Sequence, residues 1–120
     1  MIPALVLVVA SVLSGECGPV GNGCEHLVAT TMANRLADDR WPDNLDGVLE
    51  AYYGSAPATP TSLRWAMQLV AHPQSLVVRG GYCYAYSDAD RARMGWREGE
   101  TVIWGGGVRL HLSGEWPGGE

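Results

Sequence analysis

The first fifteen residues of this 120-residue chain carry no charge, and this feature constrains the fold more than any other. From Ala4 to Leu13 the chain contains only Ala, Val and Leu, apart from Ser11. A helix that is apolar on every side is buried rather than amphipathic. A glycine and proline cluster after Leu13 ends the helix. The segment therefore predicts a first helix inside the core.

The same segment also has the position and length of a signal-peptide core. It lacks the basic region of such a signal, because the first cation is Arg35. Glu16 directly before Cys17 does not fit a lipoprotein cleavage site, where a small residue is needed. About ten apolar residues are too few to span a bilayer, which needs about twenty. We therefore expect no transmembrane segment and find no convincing signal peptide.

Length and charge limit the class of protein. A chain of 120 residues forms one domain, and we predict a single domain at 1–113 followed by a tail at 114–120. With thirteen acidic against eight basic residues the net charge is −5, and no basic cluster is visible. Nucleic-acid binding through phosphate contacts is therefore not expected.

Three cysteines, Cys17, Cys24 and Cys83, leave one over from any pairing. A bridge between Cys17 and Cys24 would close a short loop beside Glu16, whereas the odd count favours reduced thiols. Both possibilities stay open. Cys17, Cys24 and His26 match no closed zinc-site spacing, so we expect no metal and no cofactor.

The middle of the chain contains sequence signals for three helices. A second helix is predicted over 24–38. A short helix is capped by Asp43 or Asn44 and runs through 53 to a closing glycine. A further helix begins with Thr59 before Pro60 and ends before Pro73. Its apolar stripe is predicted to lie in the core and consists of Leu63, Ala66, Met67 and Val70.

The last third of the chain contains strand signals. Segments 76–78 and 82–86 flank Arg79-Gly80-Gly81 and predict one β-hairpin. Alternation places Tyr82, Tyr84 and Tyr86 on one side of its second strand. Ser87 opens a short helix, and segments 101–104 and 108–112 predict a second hairpin. The expected fold is α+β, a mainly helical body with a small antiparallel sheet.

Glu16 is the first charge of the chain, at the end of the apolar helix. It shares a helical face with Val9, Val12 and Leu13 and lies at the negative end of the helix dipole. Poor hydration and the dipole both favour the protonated form of its carboxyl group. Glu16 is therefore a candidate general acid, with a surface glutamate at a frayed helix end as the alternative.

Four motifs follow one another in the first half of the chain: Gly15-Glu16, a glycine-bearing turn at 18–23, Ala29 to Arg35 containing Asn-Arg, and Trp41-Pro42 followed by Val48. In this order they resemble the spore-cortex-lytic and cell-wall hydrolase family. The resemblance covers residues 4–53, and the segment at 82–88 is only loosely similar to the family's later aromatic region. The chain departs from the family at Cys17 and Gly18, where Ala and Arg are usual.

The resemblance implies a lysozyme-like fold that acts on peptidoglycan, with Glu16 as the essential acid. It implies that Asn34 and Arg35 hold the cleft rather than make or break bonds. Further substrate-binding candidates come from the region after residue 80: Tyr82, Tyr84, Tyr86, Ser87 and Asp88. The implied place of action is the cell wall, extracytoplasmic or virion-associated.

The number of carboxylates bears on the reaction. Most glycosidases use two carboxylates across the scissile bond, and Glu25, Asp38 and Asp39 are expected to be solvated. A lytic transglycosylase needs only one glutamate, which protonates the glycosidic oxygen and then accepts the proton of the sugar's 6-hydroxyl. The sequence therefore favours a lytic transglycosylase acting on the MurNAc-GlcNAc strand.

Three alternatives stay open. The chain could be a hydrolytic muramidase or glucosaminidase. It could be a non-catalytic glycan-binding or structural module that works with other proteins of a virion or cell-envelope assembly. It could also be a wall amidase or peptidase, with Cys24 or Cys83 as nucleophile and His111 as base.

Overall fold

The computed structural model describes residues 2–18, 22–52, 54–77, 84–87, 100–103 and 109–113, with the strands described by their backbone. The helical elements are α1 (Ala4–Cys17), α2 (Asn22–Leu36), α3 (Leu45–Leu49), α4 (Pro60–Ala71) and a 3-10 helix (Pro73–Leu76). Three short strands follow: β1 (Tyr84–Ser87), β2 (Glu100–Ile103) and β3 (Arg109–Ser113). β3 pairs antiparallel with both β1 and β2, which gives the order β1-β3-β2.

The expected α+β, lysozyme-like fold is wrong. Helices hold 70% of the described residues between 2 and 77, and this part of the chain, which contains the described core, includes no strand. The hydrophobic core is built from the helices, the segments joining them and the 3-10 helix, so the fold is a mainly helical small globule.

The first predicted hairpin also fails. Leu76, expected in a strand, ends the 3-10 helix and packs into the helical core at 6% exposure. β1 pairs instead with β3, far along the chain, at Tyr84 opposite Ser113. Ser87 is the last residue of β1, and the short helix predicted after it lies outside the described residues.

α1 packs against α2 and α4 along one side only. The buried side consists of Val6, Val9, Ala10, Leu13, Ser14 and Cys17. On the opposite side Leu7 is 45% and Val8 51% exposed, so the prediction of burial on every side is wrong. Within the described residues, no helix has both the length and the hydropathy that a membrane crossing needs.

Two predicted N-terminal caps are confirmed, whereas the prediction that Gly54 closes the short helix is wrong, because Glu50 is its C-cap. The Asn44 side chain accepts a hydrogen bond from the Gly47 amide at 2.8 Å, although α3 ends at Leu49, earlier than predicted. Thr59 and Ser62 cap α4 reciprocally. Met67 departs from its prediction, because it is 53% exposed while α4 buries Ala66 and Leu69.

Candidate functional site

Glu16 lies in the last turn of α1 and is exposed to solvent. The expected poorly hydrated environment is therefore not found. The buried stripe of α1 continues from Leu13 to Cys17 instead of to Glu16, because that side faces α2 and α4. The carboxyl group is accessible to a ligand without any movement of the backbone.

A disulfide joins the residue after Glu16 to the second helix. Cys17 and Cys24 form the bridge, with their Cα atoms 5.7 Å apart, and they are 4% and 1% exposed. The bridge settles the state of these two cysteines. It also removes both from the zinc and nucleophile alternatives, while Cys83 lies outside the described residues.

Gly18 turns the chain at the end of α1. Its φ of 52° and ψ of −128° belong to a backbone region that L side chains rarely adopt. Its amide donates to the carbonyl oxygen of Ser14, which satisfies one of the free carbonyls at the helix end. The glycine at position 18 is therefore required by the turn itself.

The segment 54–56 crosses directly over the end of α1. A Cβ atom added to Gly15 would collide with the backbone nitrogen of Ser55, and one added to Gly54 would collide with the backbone nitrogen of Glu16. The Ala56 amide also donates to the Ser11 carbonyl at 3.1 Å. These backbone contacts hold the turn that carries Glu16 against the segment 54–56.

Asn34 and Arg35 on α2 are buried, at 4% and 8% exposure. The Arg35 guanidinium carbon lies 5.0 Å from the centre of the Tyr52 ring and 5.4 Å from that of Trp41. This cation–π contact fixes the 41–52 segment against α2. Such burial suits a supporting role, and a direct contact of either residue with a glycan stays a prediction.

The remaining predicted substrate-binding residues follow the helical body. Tyr82 and Asp88 lie outside the described residues. Tyr84, Tyr86 and Ser87 belong to β1, of which only the backbone is described. Their placement near Glu16 therefore stays a prediction.

Glu25 is a residue that sequence reasoning misjudged. It was expected to be solvated, yet it is 3% exposed, and its Oε2 atom has no hydrogen-bond partner among the described residues. The Ser14 hydroxyl is in the same state. Asp38 is partly exposed as expected, and its hydrogen bonds from Arg40 lower its pKa. No sequence signal separates these two carboxylates.

A second cluster was also missed. The rings of His26 and Trp65 stack at 4.1 Å and 9°, and the Arg64 guanidinium carbon lies 4.9 Å from the Trp65 ring centre. Although His26 is an exposed residue, partial burial of its ring, and then the charge of Arg64, lower its pKa. The residues are 39 positions apart in the chain, so only helix packing brings them together.

A groove of about 540 Å³ lies along the outer side of α4 and does not include Glu16. Its lining residues are Pro60, Leu63, Arg64, Met67, Gln68, Ala71 and His72. Within the described residues, no group of three or more His, Cys, Asp or Glu side chains is arranged to hold a metal ion.

No family model matches the chain, and the searches of curated proteins and solved structures find no match either.

Proposed function

We propose that this chain cleaves the glycan strands of peptidoglycan as a lytic transglycosylase, with Glu16 as the acid and base. The observation that carries the proposal is an exposed carboxyl group on a helix end that is held from two sides. The disulfide ties this turn to α2, and the backbone of 54–55 packs on it. A catalytic group needs such fixed placement on a rigid element.

The reaction requires one proton to move twice. The protonated Glu16 carboxyl gives its proton to the glycosidic oxygen as the bond from C1 to that oxygen breaks. The resulting carboxylate then accepts the proton of the 6-hydroxyl as O6 bonds to C1. The product is a 1,6-anhydro sugar, no water is consumed, and the acid is regenerated.

Because Glu16 is exposed in the free protein, the dry environment of this step must come from the glycan itself. A bound polysaccharide covers the carboxyl group and displaces water, which strengthens electrostatic interactions in the site. Arg35, held between Trp41 and Tyr52, keeps its segment fixed during binding. The disulfide supports action outside a reducing compartment, at the cell wall or from a virion.

The test compares wild type with Glu16→Gln on purified peptidoglycan, with analysis of the released muropeptides. Glu50→Gln is the matched control, because Glu50 is an exposed carboxylate at the end of α3. We expect anhydro-muropeptides from wild type and from the control, and a loss of at least about a hundredfold in Glu16→Gln. Equal cleavage by Glu16→Gln would refute the proposal.

Other products would identify the alternatives. New reducing ends would indicate a muramidase or glucosaminidase. Cleaved peptide bonds would indicate the amidase or peptidase, for which Cys83 and His111 are the remaining pair because Cys24 is in the bridge.

A non-catalytic glycan-binding module is the second candidate, and the exposure of Glu16 favours it. An exposed carboxylate can accept hydrogen bonds from sugar hydroxyls without any proton transfer. Retention of the chain on peptidoglycan, with no soluble product after prolonged incubation, would support this candidate.

A further inference from the structure

The Cys17–Cys24 bridge occupies a particular place relative to the proposed acid. Glu16 directly precedes Cys17 in the last turn of α1, and Cys24 lies in the first turn of α2. The proposed acid is therefore one residue from a covalent link between two helices. Glu16 is the one charged residue of α1, so a change in the bridge acts next to the only charge of that helix.

The bridge closes a short loop between α1 and α2. Its six residues, 18–23, are Gly-Pro-Val-Gly-Asn-Gly, so half of them are glycine. Glycine-rich chain has the greatest conformational freedom when it is unconstrained. The bridge removes this freedom by closing the loop.

The remaining contact at the Glu16 turn comes from the opposite side. The backbone of 54–55 packs against Gly15 and Glu16 but provides no covalent link. Without the bridge, the last turn of α1 would keep this contact and the apolar packing of α1 on α2, but it would lose its cross-link to Cys24. Helix ends fray readily when such contacts are lost.

We propose that the Cys17–Cys24 disulfide positions Glu16 for glycan cleavage, and that its reduction switches the cleavage off. This inference rests on the function proposed above. The reductant is a dithiol: one of its sulfurs attacks a bridge sulfur, and its second sulfur then displaces the protein thiol. The protein gains two thiols as the S–S bond breaks, and the dithiol is oxidised to its cyclic disulfide.

Burial of the bridge determines how quickly this switch acts. Cys17 and Cys24 are at most 4% exposed, so a dithiol reaches their sulfurs only when the helix ends separate. We therefore expect slow reduction of the native chain by dithiothreitol and fast reduction after addition of urea. Cleavage activity would then depend on an oxidising environment.

The experiment measures kcat and KM for a soluble glycan fragment at 10 °C. It compares oxidised wild type, dithiothreitol-reduced wild type, Cys17→Ala/Cys24→Val and Cys83→Ser. The Ala/Val pair keeps apolar volume in place of the sulfurs, and Cys83→Ser leaves the bridge intact. Circular dichroism establishes that each sample is folded.

We expect reduction to lower kcat at least tenfold, with KM changed less than threefold, because misplacing a catalytic group affects the chemical step. Cys17→Ala/Cys24→Val should match the reduced protein and be insensitive to dithiothreitol. Cys83→Ser should behave as wild type.

Four results would overturn the inference. A reduced and folded chain with unchanged kcat would show that the bridge does not position Glu16. If both bridge-free samples lose their helical circular-dichroism signal together with their activity, the bridge stabilises the fold and does not position Glu16 separately. If Glu16→Gln cleaves as wild type does, the proposed function fails, and this inference fails with it. Glu16-dependent cleavage that ignores dithiothreitol would refute this inference alone.

Discussion

Gly15 and Gly54 bring two stretches of backbone into direct contact at the end of α1 that carries Glu16. A Cβ atom on either glycine would overlap backbone atoms of the other segment, and backbone atoms cannot rotate away as a side chain can. Only glycine at both positions allows the segment 54–56 to cross the helix at this distance.

The first prediction concerns this crossing. Gly54→Ala should lower the free energy of unfolding by about 3 kcal/mol, because the added methyl group forces the two backbones apart. Urea denaturation followed by circular dichroism measures the change. Ser55→Ala is the control and should lie within about 0.5 kcal/mol of wild type, because it removes only an exposed hydrogen bond to Ser11. Equal effects of both changes would contradict the close approach.

The second prediction concerns the contact between Arg35 and two aromatic rings. Arg35→Lys keeps the charge but loses the planar group that lies near Trp41 and Tyr52. We expect a loss of about 1–2 kcal/mol in the free energy of unfolding. Arg40→Lys is the comparison, because Arg40 also lies over the Trp41 ring, 4.6 Å from its centre, but its side chain is 53% exposed, so its ring contact and its ion pair with Asp38 contribute less. If Arg35→Lys is no more destabilising than Arg40→Lys, the ring contacts do not stabilise the fold.

Local signals in the sequence predicted local structure well. The caps of α3 and α4 were found at Asn44 and Thr59, because a side-chain oxygen and the next turn's amides meet within four residues. Fold class failed, because strand signals in the last third say nothing about which segments fill the core. The hydrophobic core that the structure describes lies between residues 5 and 77 and is built by the helices and the segments beside them.

Burial on individual helix faces was not predictable from α1 itself. The segment is apolar all round, so its sequence does not determine which side faces α2 and α4. That choice exposes Leu7 and Val8 and brings Glu16 to the surface. Glu25 shows the opposite change, because helix packing buries a carboxylate that the sequence predicts to be solvated.

The third prediction is a pH dependence of stability set by His26. Its pKa is lowered in the folded chain, chiefly by burial and then by Arg64, from an ordinary value of about 6.5. As the pH falls, the unfolded chain therefore takes up this proton at a higher pH than the folded chain does. Proton binding then favours the unfolded chain, and the folded state loses stability. The urea midpoint should therefore decrease between pH 7.5 and pH 5.5, and His26→Gln should flatten this part of the profile.

Two variants separate the causes of this dependence. Arg64→Gln should weaken the dependence without removing it, because burial is the larger cause. His72→Gln is the matched control, since His72 is an exposed histidine at the end of α4. If the pH dependence of the urea midpoint survives His26→Gln but disappears in His72→Gln, it arises from His72 and the prediction for His26 is wrong.

The fourth prediction concerns the buried carboxyl group of Glu25. Its Oε2 atom has lost its water without gaining a partner among the described residues, and burying an unpaired polar atom costs about 1–3 kcal/mol. Glu25→Met keeps the length of the side chain and removes the polar oxygens. We expect the free energy of unfolding to rise by about 1–2 kcal/mol, measured by urea denaturation of the oxidised protein. Glu50→Met, at an exposed site, should change it by less than about 0.5 kcal/mol. If Glu25→Met is less stable than wild type and Glu25→Gln is not, the side chain of residue 25 makes a hydrogen bond that stabilises the first turn of α2.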